Sequence, residues 1–193
     1  MRTQWVALVA LALPAGVLAQ TAGGNMANPV TTAFTRSIGF ESNNIEQAFD
    51  SIPESKFSYK PTPAQLSFGY IAQHVADDNY LFCEQFGDLK SSRTDREKNT
   101  PDSVKATWPK DTLVAQLKAS FAFCEKAMGQ LSDSKLGDEV SLTFEGKTYK
   151  RSRAGMVLGH ALDLADHYSQ LANYMRLNGM LPPTALPRKK GTA

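Results

Sequence analysis

The sequence lacks an excess of either charge and is poor in cysteine and histidine. Its 193 residues contain 21 Lys and Arg against 19 Asp and Glu, so the formal net charge is +2. A balance this close to neutral provides no general electrostatic attraction to nucleic acid, and we predict no nucleic-acid partner. No internal repeat is visible. The length is sufficient for one domain with one hydrophobic core.

Long hydrophobic runs are also missing, apart from a short one near the start. Arg2 precedes an apolar stretch from Val6 to Leu13, and small residues up to Ala19 fit the cleavage site of a signal peptide. The run is too short to span a membrane, and no cysteine follows it as in a lipoprotein. We predict a signal peptide over 1–19 and export to a bacterial periplasm or beyond, with no membrane association after cleavage. An uncleaved anchor is the alternative.

Only two cysteines occur, Cys83 and Cys124, and each follows aromatic residues on a different predicted helix. In an oxidising compartment a pair of cysteines forms a disulfide more often than it stays reduced. We therefore predict a disulfide between them. The alternative is a pair of buried thiols that pack as small apolar groups. A catalytic cysteine is not favoured, because no histidine lies near Cys124 in the sequence.

Four long segments show the apolar spacing of three and four residues that is typical of amphipathic helices. Capping residues or prolines mark their starts, and Pro182 and Pro183 stop the last one. We predict an all-α fold, a four-helix bundle over 28–183. Its helices are expected at 28–51, 62–86 (ended by Gly87), 109–131 and 152–179.

The segments between and around these helices are polar or contain few apolar residues. Residues 20–27 are predicted to be a flexible N-terminus, and 184–193 a disordered tail. Residues 87–108 form a long solvated loop, either disordered or a lid over a site, with a short helical turn after Pro101. For 132–151 we expect a structured loop. A hairpin of two short strands is the alternative there, and alone it would be marginally stable.

All three histidines lie on the predicted inward faces of the second and fourth helices. Asp163 and His167 are four residues apart, so their side chains are neighbours on one helix face. His74 on the second helix adds another imidazole, and such a set leaves coordination positions open for water or substrate. We predict His74, Asp163 and His167 as ligands of a divalent metal. The alternative is a buried hydrogen-bonded network that binds no metal.

His160 lies one heptad before His167, about 10 Å along a helix, so we do not expect both on one ion. We assign it to the pocket or to the groups that support the metal ligands. Tyr70 and Asp78 on the second helix and Gln170 on the fourth have the same assignment. His160 and Asp78 are also candidate proton carriers, and no catalytic residue is assigned.

The second predicted helix, SFGYIAQHVADDNYLFC, resembles the metal-ligand helix of the DinB/YfiT-like superfamily. The fourth helix and its exit, DLADHYSQLANYMRLNGMLPP, resemble that family's signature, and the resemblance spans residues 30–183. It implies a four-helix bundle that holds one divalent metal with three ligands, usually three histidines. His74 and His167 match two of these, and Asp163 stands where the other histidine is common. A carboxylate there can still bind Zn, Ni, Fe or Mn, or it marks a site that has lost its metal.

Two functions of different classes follow. The first is a metalloenzyme, because the resemblance implies a family of thiol-dependent transferases and isomerases and of metal-dependent hydrolases. Export favours hydrolysis, since the low-molecular-weight thiols that the resemblance implies are mainly cytosolic. The second is a non-catalytic bundle that binds a small ligand or a protein partner. An unknown small molecule is the expected partner, and a homodimer is implied by the family alone.

Overall fold

Four long helices, two short ones and a β-hairpin form the described part of the chain. The structure is a computed structural model that describes residues 26–144 and 146–187. The predicted signal peptide, most of the predicted flexible N-terminus and the end of the predicted tail lie outside those residues. The elements are α1 (Pro29–Ser51), α2 (Phe68–Gly87), α3 (Asp95–Asn99), α4 (Asp102–Lys105), α5 (Lys110–Met128), β1 (Glu139–Phe144), β2 (Lys147–Ser152) and α6 (Arg153–Leu177), with 3₁₀ turns at Glu54–Lys56, Asp133–Lys135 and Pro183–Ala185.

The four long helices enclose one core. α1 and α2 each pack against both α5 and α6. α2 and α6 run antiparallel: Phe68 contacts Tyr174 at one end, and Phe86 contacts His160 towards the other. Both helices therefore bring their inward faces together along their length. No helix in the described ranges is long and apolar enough to cross a bilayer.

The start of α2 differs from the prediction. The helix begins at Phe68 rather than near residue 62, because the Ser67 side chain caps it by accepting the Tyr70 N–H at 3.2 Å. The N–H of Gly69 is tied to the Phe57 carbonyl at 2.8 Å, which holds the preceding segment as a connection. A Cβ at Gly69 would overlap the Ala106 carbonyl, so glycine permits this close approach.

The predicted stop of α2 is also shifted by one residue. Gly87 belongs to the helix, and Asp88 takes the left-handed conformation, with φ of 54°. A Cβ at Gly87 would overlap Ala127 of α5. This glycine therefore serves the contact between two helices, which the sequence reasoning mistook for a helix-ending signal.

α1 begins where the sequence predicts, but a distant residue caps it. Asn28 occupies the capping position without a side-chain bond to the helix. The Asp133 carboxylate accepts the N–H groups of Val30 and Thr31 at 3.1 and 2.7 Å, and the Asp133 N–H donates to Asn28 Oδ1 at 3.0 Å. The connection after α5 thus holds the start of α1.

The segment before α6 is a hairpin, so the expectation of a loop there is wrong. β1 and β2 pair antiparallel from Glu139 with Ser152 to Phe144 with Lys147. Val140 is buried in the core, and β1 contacts α2. Packing on a helix supplies the stability that two strands alone lack. The fold is mostly helical, with six helices among the described residues, of which the four long ones lie in the four segments predicted to be helical.

The polar segment after α2 is ordered against that helix. It contains α3, whose Thr94 and Glu97 form a capping box, and α4, which follows Pro101 as predicted. Arg93 binds Asp77 of α2 at 2.8 Å and stacks over the Tyr80 ring at 4.6 Å. Lys105, which is buried, also pairs with Asp77. Ion pairs and cation–π contacts therefore hold a segment that has few apolar anchors.

Candidate metal centre

Two histidine–aspartate pairs face each other between α2 and α6. On α2, His74 Nε2 lies 3.2 Å from Asp78 Oδ2, and on α6, His167 Nε2 lies 3.5 Å from Asp163 Oδ1. Each pair has the four-residue spacing that places side chains on one helix face. The centroids of the two imidazole rings are 4.9 Å apart, and the ring planes make an angle of 88°. The antiparallel packing of the helices thus joins residues that are nearly a hundred positions apart.

Three potential ligand atoms converge most closely. One atom each from His74, Asp78 and His167 lies within 4.8 Å of the other two. Asp163, the predicted carboxylate ligand, reaches the group through His167. The structure therefore adds Asp78 as a second carboxylate, and the His74–Asp78 spacing on α2 was the sequence signal for it.

Burial and charge shift the protonation of this cluster. Burial, with the nearby Asp163 charge, raises the pKa of Asp78 from 3.8 to about 7. Burial and the neighbouring His167 lower the pKa of His74. For His167, burial alone lowers the pKa, but the contact with Asp163 and its negative charge outweigh burial and raise it. Two carboxylates in one partly buried place repel each other, and a divalent cation would relieve that repulsion.

Two polar atoms of the cluster support the fit of a metal. Asp163 Oδ2 and His167 Nδ1 are buried and have no hydrogen-bond partner among the described residues. The His74 side chain is 34% exposed and that of His167 is 7% exposed, so the cluster is open on the α2 side and closed on the α6 side. Imidazole with carboxylate suits Zn, Fe, Mn or Ni, and the residues present therefore fit the group that the sequence predicts.

A cavity lies at the start of α2, and Tyr70 connects it with the cluster. The Tyr70 ring is 6.0 Å from the His74 ring, and Tyr70 also lines a cavity of about 730 Å³ together with Trp108 and Lys110. That volume is within the range of small-molecule sites. Gln170, the other residue predicted near the site, donates to Asp166 Oδ2 at 2.8 Å.

His160 lies in a separate buried cluster. Its Nε2 is 2.8 Å from Asn79 Oδ1, and Asn79 Nδ2 donates to Ser120 Oγ at 2.8 Å. The predicted disulfide joins Cys83 of α2 to Cys124 of α5, with Cα atoms 5.2 Å apart. Burial lowers the pKa of His160 to about 4.

The expectation that no histidine lies near Cys124 is wrong. His160 Nε2 lies 4.0 Å from Cys124 Sγ, although the two residues are 36 positions apart. Helix packing brought them together, and separation along the chain could not show it. The disulfide nevertheless leaves no free thiol in the described residues.

Similar proteins provide an independent view of the fold. A DinB-like protein from Bacillus cereus ATCC 10987 has a TM-score of 0.59 at 18% identity, over 79% of this chain and 95% of that one. A conserved protein from Enterococcus faecalis has a TM-score of 0.56 at 17% identity, over 77% of this chain and 96% of that one. These likenesses show a shared fold.

A mycothiol-dependent maleylpyruvate isomerase has a TM-score of 0.58 at 15% identity. The match covers 73% of this chain and 60% of the isomerase, so this chain spans less than two thirds of that enzyme. No curated protein matches the chain. The family model of the DinB superfamily matches residues 40–171, which is more than half of the sequence. The resemblance seen in the sequence is confirmed, and the chain belongs to the DinB superfamily.

Proposed function

We propose that this chain is an exported metalloprotein that holds one divalent ion between α2 and α6 and catalyses a metal-dependent hydrolysis or group transfer. The observation that carries the proposal is the convergence of ligand atoms from His74, Asp78 and His167 within 4.8 Å. A cluster of donors with shifted pKa values beside a cavity is typical of a functional site. In this proposal the four long helices form the bundle that contains the metal site.

Four side chains would hold the ion: His74 and His167 through imidazole nitrogen, and Asp163 and Asp78 through carboxylate oxygen. Two carboxylates neutralise a divalent cation, which removes the cost of gathering them in a partly buried place. When bound, such an ion polarises a carbonyl or lowers the pKa of a bound water. These four side chains would hold the ion, which would be available to act on a substrate that reached it.

The protein's own groups hold the ligand side chains in position, and one of them releases a proton when the ion binds. Asp163 fixes the ring of His167 through the 3.5 Å contact. Asp78 would bind the ion as a carboxylate, so binding would release the proton that the raised pKa of this group retains in the metal-free protein. Tyr70 lines the nearby cavity and its ring centroid lies 6.0 Å from that of His74, so this residue belongs both to the cavity wall and to the surroundings of His74.

Hydrolysis is favoured over thiol-dependent transfer. The chain is predicted to be exported, and low-molecular-weight thiols are mainly cytosolic. The disulfide between Cys83 and Cys124 is compatible with an extracytoplasmic location. N-terminal sequencing of protein recovered from the periplasm or medium tests export, and the expected first residue is Gln20. A mature protein that still starts at Met1 would refute cleavage.

Elemental analysis of untagged mature protein tests the metal site. We expect one Zn, Ni, Fe or Mn per chain in the wild type, and loss of the metal in His74→Ala and His167→Ala. Asp78→Asn and Asp163→Asn should each lower metal occupancy, since each removes one of the two proposed carboxylate ligands. Asp166→Asn is the matched control, because Asp166 is exposed on α6 and bonds to Gln170 instead.

The absence of metal after reconstitution of a folded wild-type protein would overturn the proposal. The non-catalytic bundle would then be the better account, with the two histidine–aspartate pairs as a buried polar network. If metal is present, substrate screening by reaction class follows, beginning with ester and amide hydrolysis and then thiol-dependent transfer.

A further inference from the structure

A second cluster of metal-binding side chains lies in the core, around the disulfide. Cys83, Cys124 and His160 are each no more than 1% exposed. Their sulfur and ring-nitrogen atoms lie within 4.8 Å of one another, and they come from α2, α5 and α6. The proposed function uses none of these three side chains.

The groups around His160 explain how its ring is held in the disulfide form. Asn79 Nδ2 donates to Ser120, so the amide oxygen of Asn79 faces the imidazole and accepts a hydrogen bond from the Nε2–H of His160 at 2.8 Å. The opposite ring nitrogen, Nδ1, is buried and has no partner among the described residues. The remaining neighbours include the aromatic rings of Phe82 and Phe86. This histidine is therefore a buried ligand group that the disulfide form leaves half satisfied.

We propose that reduction of the Cys83–Cys124 disulfide converts this cluster into a second metal site, with the two cysteine thiolates and His160 as ligands of Zn²⁺ or a similar ion. Two electrons from a dithiol or phosphine break the S–S bond, and each sulfur takes one proton. Binding of the ion then releases both protons. With a phosphine, the oxygen of one water molecule goes to the phosphine oxide.

Charge and ligand chemistry favour this occupant. Two thiolates neutralise a divalent ion, so the complex places no net charge in an apolar core. Donor atoms around tetrahedral zinc lie roughly 3.5 Å apart, and the donors here are already within the reach of small side-chain rotations. Asn79 Oδ1, beside His160 Nε2, is placed to complete the coordination as an oxygen ligand. The imidazole proton would move to Nδ1, which frees Nε2 for the ion.

The chain also offers a route to the sulfurs. Cys124 lines a groove of about 510 Å³ between α1 and α5, with Ile38 and Phe121 on its walls. A small reductant can approach Cys124 from that side. The bound ion would restore the link between α2 and α5 that reduction breaks, and it would add α6 to that link.

Cobalt titration of the full mature chain tests the proposal. His74→Ala is used as the background, so that the other candidate site does not compete. After reduction with a phosphine under nitrogen, Co²⁺ should produce a thiolate-to-cobalt charge-transfer band and the visible bands of tetrahedral cobalt, at one ion per chain. The oxidised protein should show neither. The first site contains no sulfur, so it cannot produce the charge-transfer band, and its own failure is detected separately by elemental analysis of the wild type.

Two variants identify the ligands. Cys83→Ser/Cys124→Ser should lose the charge-transfer band, and His160→Gln should bind Co²⁺ at least about tenfold more weakly. Circular dichroism confirms that each reduced protein keeps its helices. Metal should also slow alkylation of the two thiols in the reduced wild type, which requires no variant.

Three results would overturn the inference. The first is no charge-transfer band in a reduced protein that remains helical. The second is equal Co²⁺ affinity in His160→Gln and its parent, and the third is a band only in samples that have lost their helical signal.

Discussion

Loss of the Cys83–Cys124 disulfide should lower the free energy of unfolding by about 4 kcal/mol. The bridge joins α2 to α5 across a sequence separation of 41 residues, and both cysteines are buried. A cross-link that closes a loop of this length removes denatured-state entropy equivalent to about 4 kcal/mol at 25 °C. For a domain of this size, 1 kcal/mol corresponds to about 2–4 °C, so the melting temperature should fall by about 8–16 °C.

Urea denaturation of the oxidised and phosphine-reduced wild type, followed by circular dichroism, measures this difference. EDTA in every sample prevents a metal from replacing the disulfide. Cys83→Ala/Cys124→Ala in the same assay should lose somewhat more, because it also removes the packing of two buried sulfur atoms. Thiol titration after denaturation verifies complete reduction. A fully reduced protein that loses less than about 1 kcal/mol would refute the reasoning.

Three further predictions concern buried groups. As the pH falls from about 6.5 to about 4, the free energy of unfolding of the wild type should fall by up to about 3 kcal/mol relative to that of His160→Gln, as measured by urea denaturation. The reason is that the unfolded chain protonates this histidine in that range, whereas the folded chain, in which its pKa is about 4, does not. For Asp78 the pH dependence has the opposite sign, because its pKa of about 7 in the folded chain exceeds its value in the unfolded chain. As the pH rises from about 4 to 7, the free energy of unfolding of the metal-free wild type should therefore fall by up to about 4 kcal/mol relative to that of Asp78→Asn. In the wild type the two contributions to the pH dependence of the free energy of unfolding should nearly cancel. If that free energy changed with pH equally in the wild type and in each variant, the pKa shifts of both His160 and Asp78 would be contradicted. Gly87→Ala should lower the free energy of unfolding by about 1–3 kcal/mol in thermal denaturation, because the new methyl group overlaps Ala127. In the control Gly39→Ala the new methyl group meets nothing within 4 Å, so this variant should be as stable as the wild type or slightly more stable.

The positions of the long helices were largely predictable from the sequence. Apolar spacing located all four, and the start of α6 is set by Ser152, whose side chain accepts the Gly155 N–H at 3.1 Å. Gly179 has the positive φ of 72° expected just after that helix. These features depend on a few neighbouring residues, so they can be read locally.

Helix ends that depend on distant groups could not be read in this way. Asp133 caps α1 from more than a hundred residues away, and Gly87 is required by Ala127 of α5 rather than by a turn. The hairpin before α6 depends likewise on the burial of Val140 against the helical core. Local propensity carries no information about such partners.

The features of the candidate metal centre also fall into two groups, those that depend on neighbouring residues and those that depend on helix packing. The donor types and the pairing of Asp163 with His167 can be read from the sequence, because spacing along one helix fixes which side chains are neighbours. The approach of Asp78 to His167, and of His160 to the disulfide, follows from how the helices pack against one another. Contacts between helices depend on how whole faces pack, and that packing minimises the free energy of the entire core rather than of any one segment.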